Sequence, residues 1–405
     1  MAADPVFSNL TYAGTAYAEV FGPTVLDPAD LIDNDLALPL DNTKFKITLN
    51  EFDDTVVFQN ANSNFTDQST DGDVDEVNIE TIPYEFHKEL RWDDIRKSWQ
   101  SNQLRPGSLE DYSPRDITDD FLQKVYVPKM KLAQSHLVLN GKTGLASNIG
   151  SYTFSAAYNG LYSLFNSSST IGKLSLQADQ LTVATVVKGT TTVLVVTGDH
   201  TEKVFPGNKV SVRLAAGTGW TAINTDLRVL SVAFDATNTN IEVEIDTDAL
   251  TSGNYTTGSA RVRFINRYNI IKVLANHMAF VPEAVWRNGE GAKIVIPTHL
   301  RLEWQFANAE AQQNGGTYFL SSYQQQMIDQ QIVVLDTAPA NTVGTWDKNR
   351  VGYGFDLSTD YSNVKLVWMG DTTNDMVYRL RAAMKTGVGI SKKFANQITL
   401  TTPEK

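Results

Sequence analysis

The stretch from residue 175 to 263 limits the possible folds more than any other part of this 405-residue chain. Val183, Val193, Val195, Val210, Val212, Val229, Val232, Ile241, Val243 and Ile245 recur there in short alternating runs. Turn-forming residues separate the runs: Lys188-Gly189, Thr197-Gly198-Asp199, Pro206-Gly207-Asn208 and the polar residues 235–240. Short strands at regular spacing predict a small β-barrel or sandwich, because alternation buries one face of each strand and the turns bring the next alongside. Both flanks instead mix helical and strand periodicities. The block therefore reads as an all-β domain inserted into an α+β lobe, whose two parts, residues 146–174 and 264–370, must meet across it.

Ahead of that lobe the chain is extended. Residues 1–40 lack periodicity and read as an N-terminal arm that cannot bury Leu10, Tyr12, Tyr17, Phe21 and Leu26 by itself, so that it lies on its own or a neighbouring surface. Residues 41–115 read as a long hairpin and its base: Phe45, Ile47 and Leu49 alternate with polar residues and Thr55–Phe58 continues the run. The polar tract Asn60–Gly72 makes the tip, and Val77, Ile79, Tyr84 and Phe86 return. Trp92, Ile95 and Trp99 mark a short helix at the base. The strongest helical signal is Thr118–Leu139, within a segment taken as 116–145. Thr118 is its N-cap, Asp119 and Asp120 favour the first turn, Phe121, Val125, Pro128, Leu132, Ser135 and Leu139 form its stripe, and Gly141 stops it. Pro128 is expected to kink or split it. After the β block come a helix over 265–279, short strands at Phe280–Pro282 and Lys293–Pro297, a helix over 301–312, strands at Ile332–Leu335 and Val364–Met369, and closing strands within 371–405.

Composition removes several kinds of chemistry. The chain has no Cys, which excludes a disulfide framework, thiolate metal sites and a Cys nucleophile. Its net charge of −12 opposes a role in gripping phosphate backbones, although it suits a surface that merely faces DNA. The opening residues have neither the basic region nor the apolar run of a signal peptide, and no stretch approaches the ~18 apolar residues of a membrane span. The five His (His87, His136, His200, His277, His299) never fall at an i, i+4 metal spacing, and there is no HExxH, P-loop or GxSxG, so no catalytic or cofactor site is expected.

Two local features have competing readings. Asp67, Ser69, Asp71, Gly72, Asp73 and Val74 follow a calcium-loop spacing, but position twelve is Asn78 and the flanks are strands. A solvated hairpin tip is favoured, with Asp67, Asp71 and Asp73 as the candidate ion ligands. Trp220, between Gly217, Gly219 and the following turn, reads as a plug for the barrel ahead of an exposed aromatic for glycans. Trp92, Trp99 and Tyr112, set among Arg91, Arg96 and Arg105, serve equally as local core or as a subunit contact.

The order arm, hairpin, long helix, split α/β lobe and terminal strands resembles the Johnson fold, the Hong Kong 97-like fold of tailed-bacteriophage capsid proteins. Leu137 to Gly144 (LVLNGKTG) looks like the leucine-asparagine-glycine run ending that family's spine helix. Phe280 to Trp286 followed by Lys293–Pro297 resembles its A-domain strand and neighbours, and Ile332 to Asp336 a later A-domain strand. The resemblance implies an E-loop hairpin at 41–115, a spine helix at 116–145, an A-domain with its return at 146–174 and 264–370, P-domain strands at 371–405, and the β block as an insertion domain. It implies a major capsid subunit, not an enzyme, that assembles with copies of itself into pentamers and hexamers of an icosahedral head around double-stranded DNA. Scaffolding, portal and decoration proteins are further partners, DNA is met by proximity without sequence recognition, and no membrane is involved. The place of action is the virion, after synthesis in the host bacterial cytoplasm. Contacts between subunits are expected at Phe45, Ile47, Leu49, Val57, Phe58, Val77, Ile79, Tyr84, Phe86, Arg91 and Trp92. The competing function is a carbohydrate-binding or adhesion protein built around the β insert.

Overall fold

The computed structural model describes residues 31–53, 73–91, 127–143, 146–149, 152–155, 158–176, 180–250, 255–283, 285, 292–313, 332–356, 365–368 and 377–403. They form two compact units, one from the chain up to Leu164 with Val351–Lys393, the other from Phe165–Arg350 with Phe394–Lys405. Both mix α and β structure.

The first unit is organised by the strand Val377–Ile390. Ile82–Arg91 runs antiparallel along it from Val377 to Thr386. Its other edge is shared: Lys365–Trp368 pairs with 378–381 and Val351–Phe355 with 386–390. Leu38–Leu40 adds a parallel strand beside Gly352–Gly354. Residues 31–40, expected in the arm, are thus part of a core, with Leu31 and Leu36 fully buried. Three residues are too short a run for periodicity to reveal.

The helix Val127–Asn140 lies on this sheet. Pro128 lies in the first described turn, and the residues before Val127 that would show the expected kink lie outside the described residues. Of the expected stripe, Ser135 and Leu139 are buried and Pro128 and Leu132 are exposed. Met130, Gln134, Leu137 and Val138 face inward while Leu132 is 40% exposed. Periodicity gave only part of the face because the buried side also includes a polar residue, Gln134. Thr118, Phe121 and Val125 lie outside the described residues. At Asn140-Gly141 the helix stops as expected, but not through a left-handed glycine. A Cβ on Gly141 would stand 2.5 Å from the Leu137 carbonyl oxygen and 2.6 Å from that of Tyr158. Gly160 is the reciprocal half: its amide donates to the Gly141 carbonyl at 2.7 Å, and a Cβ there would meet Gly141 N, Leu137 O and Val138 O, each at 2.7 Å. Two glycines are required because two backbones cross.

In the second unit five strands form a mixed sheet in the order Ile332–Leu335, Ala292–Pro297, Val343–Asp347, Thr399–Thr402, Gly172–Ser175. The helices Ile270–Phe280 and Thr298–Gln313 bury Val273, Leu274, Leu300 and Trp304 with Ile294 and Ile296 of the sheet. Thr399–Thr402 belongs here, so the closing strands expected at 371–405 divide between the units, Val377–Ile390 in one and Thr399–Thr402 in the other. The expected strand at Phe280–Pro282 is absent: Phe280 ends a helix and the Val281 amide donates to the His277 carbonyl. Pro282 restricts only its immediate predecessor to extended backbone, which here is Val281.

The alternating block closes into a six-stranded barrel from Leu181–Val187, Thr192–Thr197, Lys209–Arg213, Asp226–Phe234, Asn238–Val243 and Arg261–Arg263. Val183, Leu194, Val196, Val210, Val212, Ile241 and Val243 fill it. Barrel and sheet share one unit through buried asparagines that periodicity does not signal. Asn341 Nδ2 donates to Ser211 Oγ (3.0 Å) and its Oδ1 accepts from the Ile265 amide (2.8 Å), while Asn266 Nδ2 donates to Asn208 Oδ1 (2.9 Å).

Two stability predictions follow from these contacts. Gly160→Ala should cost about 1–3 kcal/mol by overpacking; an unchanged urea midpoint in the full chain would contradict it. The second concerns His277, fully buried, whose ring nitrogens lie 2.8 Å from Thr401 Oγ1 and 2.8 Å from Thr345 Oγ1. Burial lowers its pKa from 6.5 to about 4. Since the unfolded chain takes up the proton first, the stability it contributes is complete above pH ~6.5 and is lost as pH falls through about 4, up to about 3 kcal/mol in all. His277→Gln should flatten that part of the stability curve, leaving the slope due to His299, which burial and Lys209 also lower to about 4; a curve parallel to the parent's would refute the assignment.

Candidate functional site

The hairpin and its attachment to the first unit form the candidate site. Lys46–Asp53 pairs antiparallel with Asp73–Glu80, from Lys46 opposite Glu80 to Asp53 opposite Asp73. The return strand ends at Glu80, and after Thr81 the chain enters the sheet as Ile82–Arg91. Tyr84 and Phe86, expected on the hairpin, are therefore sheet residues. A hydrophobic run across a single-residue break reads as one strand, which is why the sequence did not separate them.

The expected contact residues have different fates. Phe45 is 76% exposed, its ring 5.4 Å from Lys385 Nζ, and Ile47 and Leu49 are half-buried. Val77 and Ile79 are 4% and 1% exposed, covered by the chain itself. Arg91 is exposed at the end of its strand. Asp73 sits at the first position of the return strand. Val57, Phe58, Trp92, Asp67 and Asp71 lie outside the described residues, and among the described ones no cluster of potential metal ligands occurs.

Three sets of contacts tie the hairpin down. The Thr81 amide donates to the Phe45 carbonyl (2.9 Å) and its hydroxyl to the Thr43 carbonyl (2.8 Å). Farther out, Glu51 Oε2 accepts from the amides of Lys392 (3.1 Å) and Lys393 (3.0 Å). Between them, Ile79 enters a seat lined by Gly352, Gly354 and Gly389.

The sheet beside this attachment is locked to the helix by a polar cluster. The Tyr84 hydroxyl donates to Gln134 Oε1, and Gln134 Nε2 donates to the hydroxyls of Thr386 (3.3 Å) and Tyr353 (3.4 Å). The Tyr158 and Thr386 hydroxyls are 2.8 Å apart. Burial pushes Tyr84 and Tyr158 above the ordinary tyrosine range, so both remain neutral donors. The cluster can position backbone; it offers neither a nucleophile nor a base.

Charge gives the hairpin a further property. Its described strands carry Glu51, Asp53, Asp73, Asp75, Glu76 and Glu80 against Lys46 alone. Glu51 stands opposite Asp75 and Asp53 opposite Asp73. Like charges directly opposed cost roughly 0.2–1 kcal/mol per pair, and an isolated two-stranded ribbon is marginal in any case. In the other unit Trp220 is fully buried, edge-on to Tyr255 at 5.8 Å, which removes it as an exposed glycan platform.

No protein-family model and no curated protein matches the chain. Solved structures it is similar to include capsids. A satellite phage P4 procapsid subunit is 10% identical, with a TM-score of 0.43 over 96% of this chain and 90% of that one. The subunit of an empty GTA particle capsid is 11% identical, with a TM-score of 0.41 over 94% and 91%. The capsid of Myoviridae phage XM1 gives 9% identity and a TM-score of 0.39 over 96% and 92%. At such similarity the functional reading has to stand on the chain's own elements.

Proposed function

We propose that this chain is a major capsid subunit with the Hong Kong 97-like fold, assembling with copies of itself into pentamers and hexamers of an icosahedral head that encloses double-stranded DNA. The observation that carries this reading is the hairpin: a self-repelling acidic ribbon, tied at its base to a sheet, with an exposed aromatic at its root. Such an element gains its missing burial and counter-charge from another surface, which couples its stability to assembly. The order of hairpin, helix and sheet-closing strand along the chain supports the same assignment. In this reading the first unit is the P-domain with the E-loop, the five-stranded lobe is the A-domain, and the barrel is an insertion that decorates the shell. The subunit works in the virion, is made in the host cytoplasm, and meets scaffolding, portal or decoration proteins and packaged DNA through its surfaces. It performs no catalysis. The carbohydrate-binding alternative has no comparable observation in its favour, since Trp220 fills the barrel.

Negative-stain microscopy of the purified full chain should show rings of five and six, or shells. A monomer at every concentration would overturn the proposal. Phe45→Ala should change unfolding free energy by less than about 0.5 kcal/mol, as exposed substitutions do, yet lower the assembled fraction; equal assembly by parent and variant would remove Phe45 from the interface.

A further inference from the structure

Four glycines of the first unit stand in strand interiors where no turn requires them. Gly352 and Gly354 alternate with buried Val351, Tyr353 and Phe355. Gly389 lies opposite Gly352, and Gly387 opposite Gly354. None of the four has a positive φ, so backbone freedom does not explain them. Glycine inside a strand gives up packing, and its usual justification is the close approach of something else. Here the two register pairs make a bare square on the sheet. A Cβ on Gly352 would lie 2.4 Å from Ile79 Cδ1, one on Gly389 2.5 Å from Ile79 Cγ1, and one on Gly354 3.3 Å from Ile79 Cγ2. At the fourth corner a Cβ on Gly387 would stand 2.0 Å from the Glu80 carbonyl oxygen.

We propose that this square is a latch that positions the hairpin: Ile79 seated on Gly352, Gly354 and Gly389, with the Glu80 carbonyl against Gly387, fixes the direction in which the ribbon leaves the sheet, and so where it meets a second copy of the chain. The second half rests on the assembly reading above; the first does not. Only Thr81 separates the ribbon from the sheet strand, and a one-residue joint would be a natural hinge. Its amide and hydroxyl are both engaged, while Ile79 two residues earlier is held on a surface where any rotation drives it into backbone. In this arrangement these contacts hold the described hairpin strands to the sheet, so that Thr81 is a fastened joint and not a free one. Ile79 is a positioning residue, acting through the strand that carries it.

Hydrogen exchange on the full chain tests the latch, with the barrel amides as an internal check on folding. Gly352→Ala should raise exchange across 46–53 and 73–80 by about tenfold or more, because the new Cβ collides with Ile79 Cδ1. Ile79→Val deletes that atom and should restore protection in the double variant. It should not rescue Gly389→Ala, because valine keeps the Cγ1 that a Cβ there meets. Ile79→Ala, which introduces no clash, should loosen the same amides if the glycine variants fail to fold. Assembled fraction, read by sedimentation, should fall and recover in step with exchange. Unchanged hairpin exchange in Gly352→Ala and Ile79→Ala would overturn the latch. Raised exchange with undiminished assembly would overturn its positioning role. A parent chain that never assembles would defeat the capsid reading, while the exchange data would still decide whether Ile79 holds the hairpin.

Discussion

The strand Val377–Ile390 is hydrogen-bonded on both edges, and each of its neighbours comes from a different part of the chain. Ile82–Arg91, Lys365–Trp368 and Val351–Phe355 are registered against it. The same strand supplies Thr386, which receives the helix through Gln134, and Gly387 and Gly389, which receive the hairpin. Pairing across roughly three hundred residues of sequence is slow to form, since loop closure has to precede any gain. Neither the helix nor the hairpin has its place until this late strand is in. The N-terminal elements that project are thus held by the last strand of their own unit.

Legibility of the fold followed the character of each element. Strands that alternate, as in most of the barrel, or that run apolar, as at Ile332–Leu335 and Lys293–Pro297, show their burial in their residues; in Thr192–Thr197, apolar on both faces, Leu194 and Val196 are the buried pair and Val193 and Val195 are half-buried. The helix was readable over its described part and its face in part, at Ser135 and Leu139; Gln134 escaped because it is buried by hydrogen bonds to hydroxyls and not by being apolar. The asparagines that join barrel and sheet escaped for the same reason. Gly141 was visible as a helix stop, but its partner Gly160 was not, since only the fold shows that two backbones cross there. In the candidate site, Phe45 was recognisable as an apolar residue without an obvious core. Val77 and Ile79 looked the same in sequence and proved to be buried within the chain; what receives Ile79 is an absence of side chains some 270 residues or more away.

These features give a consistent account of what the chain has to work with. It has no constellation of reacting groups among the described residues; what it presents is an acidic ribbon whose carboxylates oppose one another across the strands. That arrangement weakens the isolated subunit slightly and rewards a partner of opposite charge. Rigid attachment at the base, through Thr81, Ile79 and Glu51, means the ribbon can be offered to a neighbour at a defined angle without ordering it anew each time, which lowers the entropic cost of association.

The proposed role requires this chain to associate with itself in closed rings. Native mass spectrometry of the purified full chain, taken over a range of protein concentration and salt, tests it most directly. Species at five and six times the mass of one chain are expected, dissociating as added salt screens the hairpin charges. A single monomer peak throughout, or a two-fold dimer insensitive to salt, would contradict it.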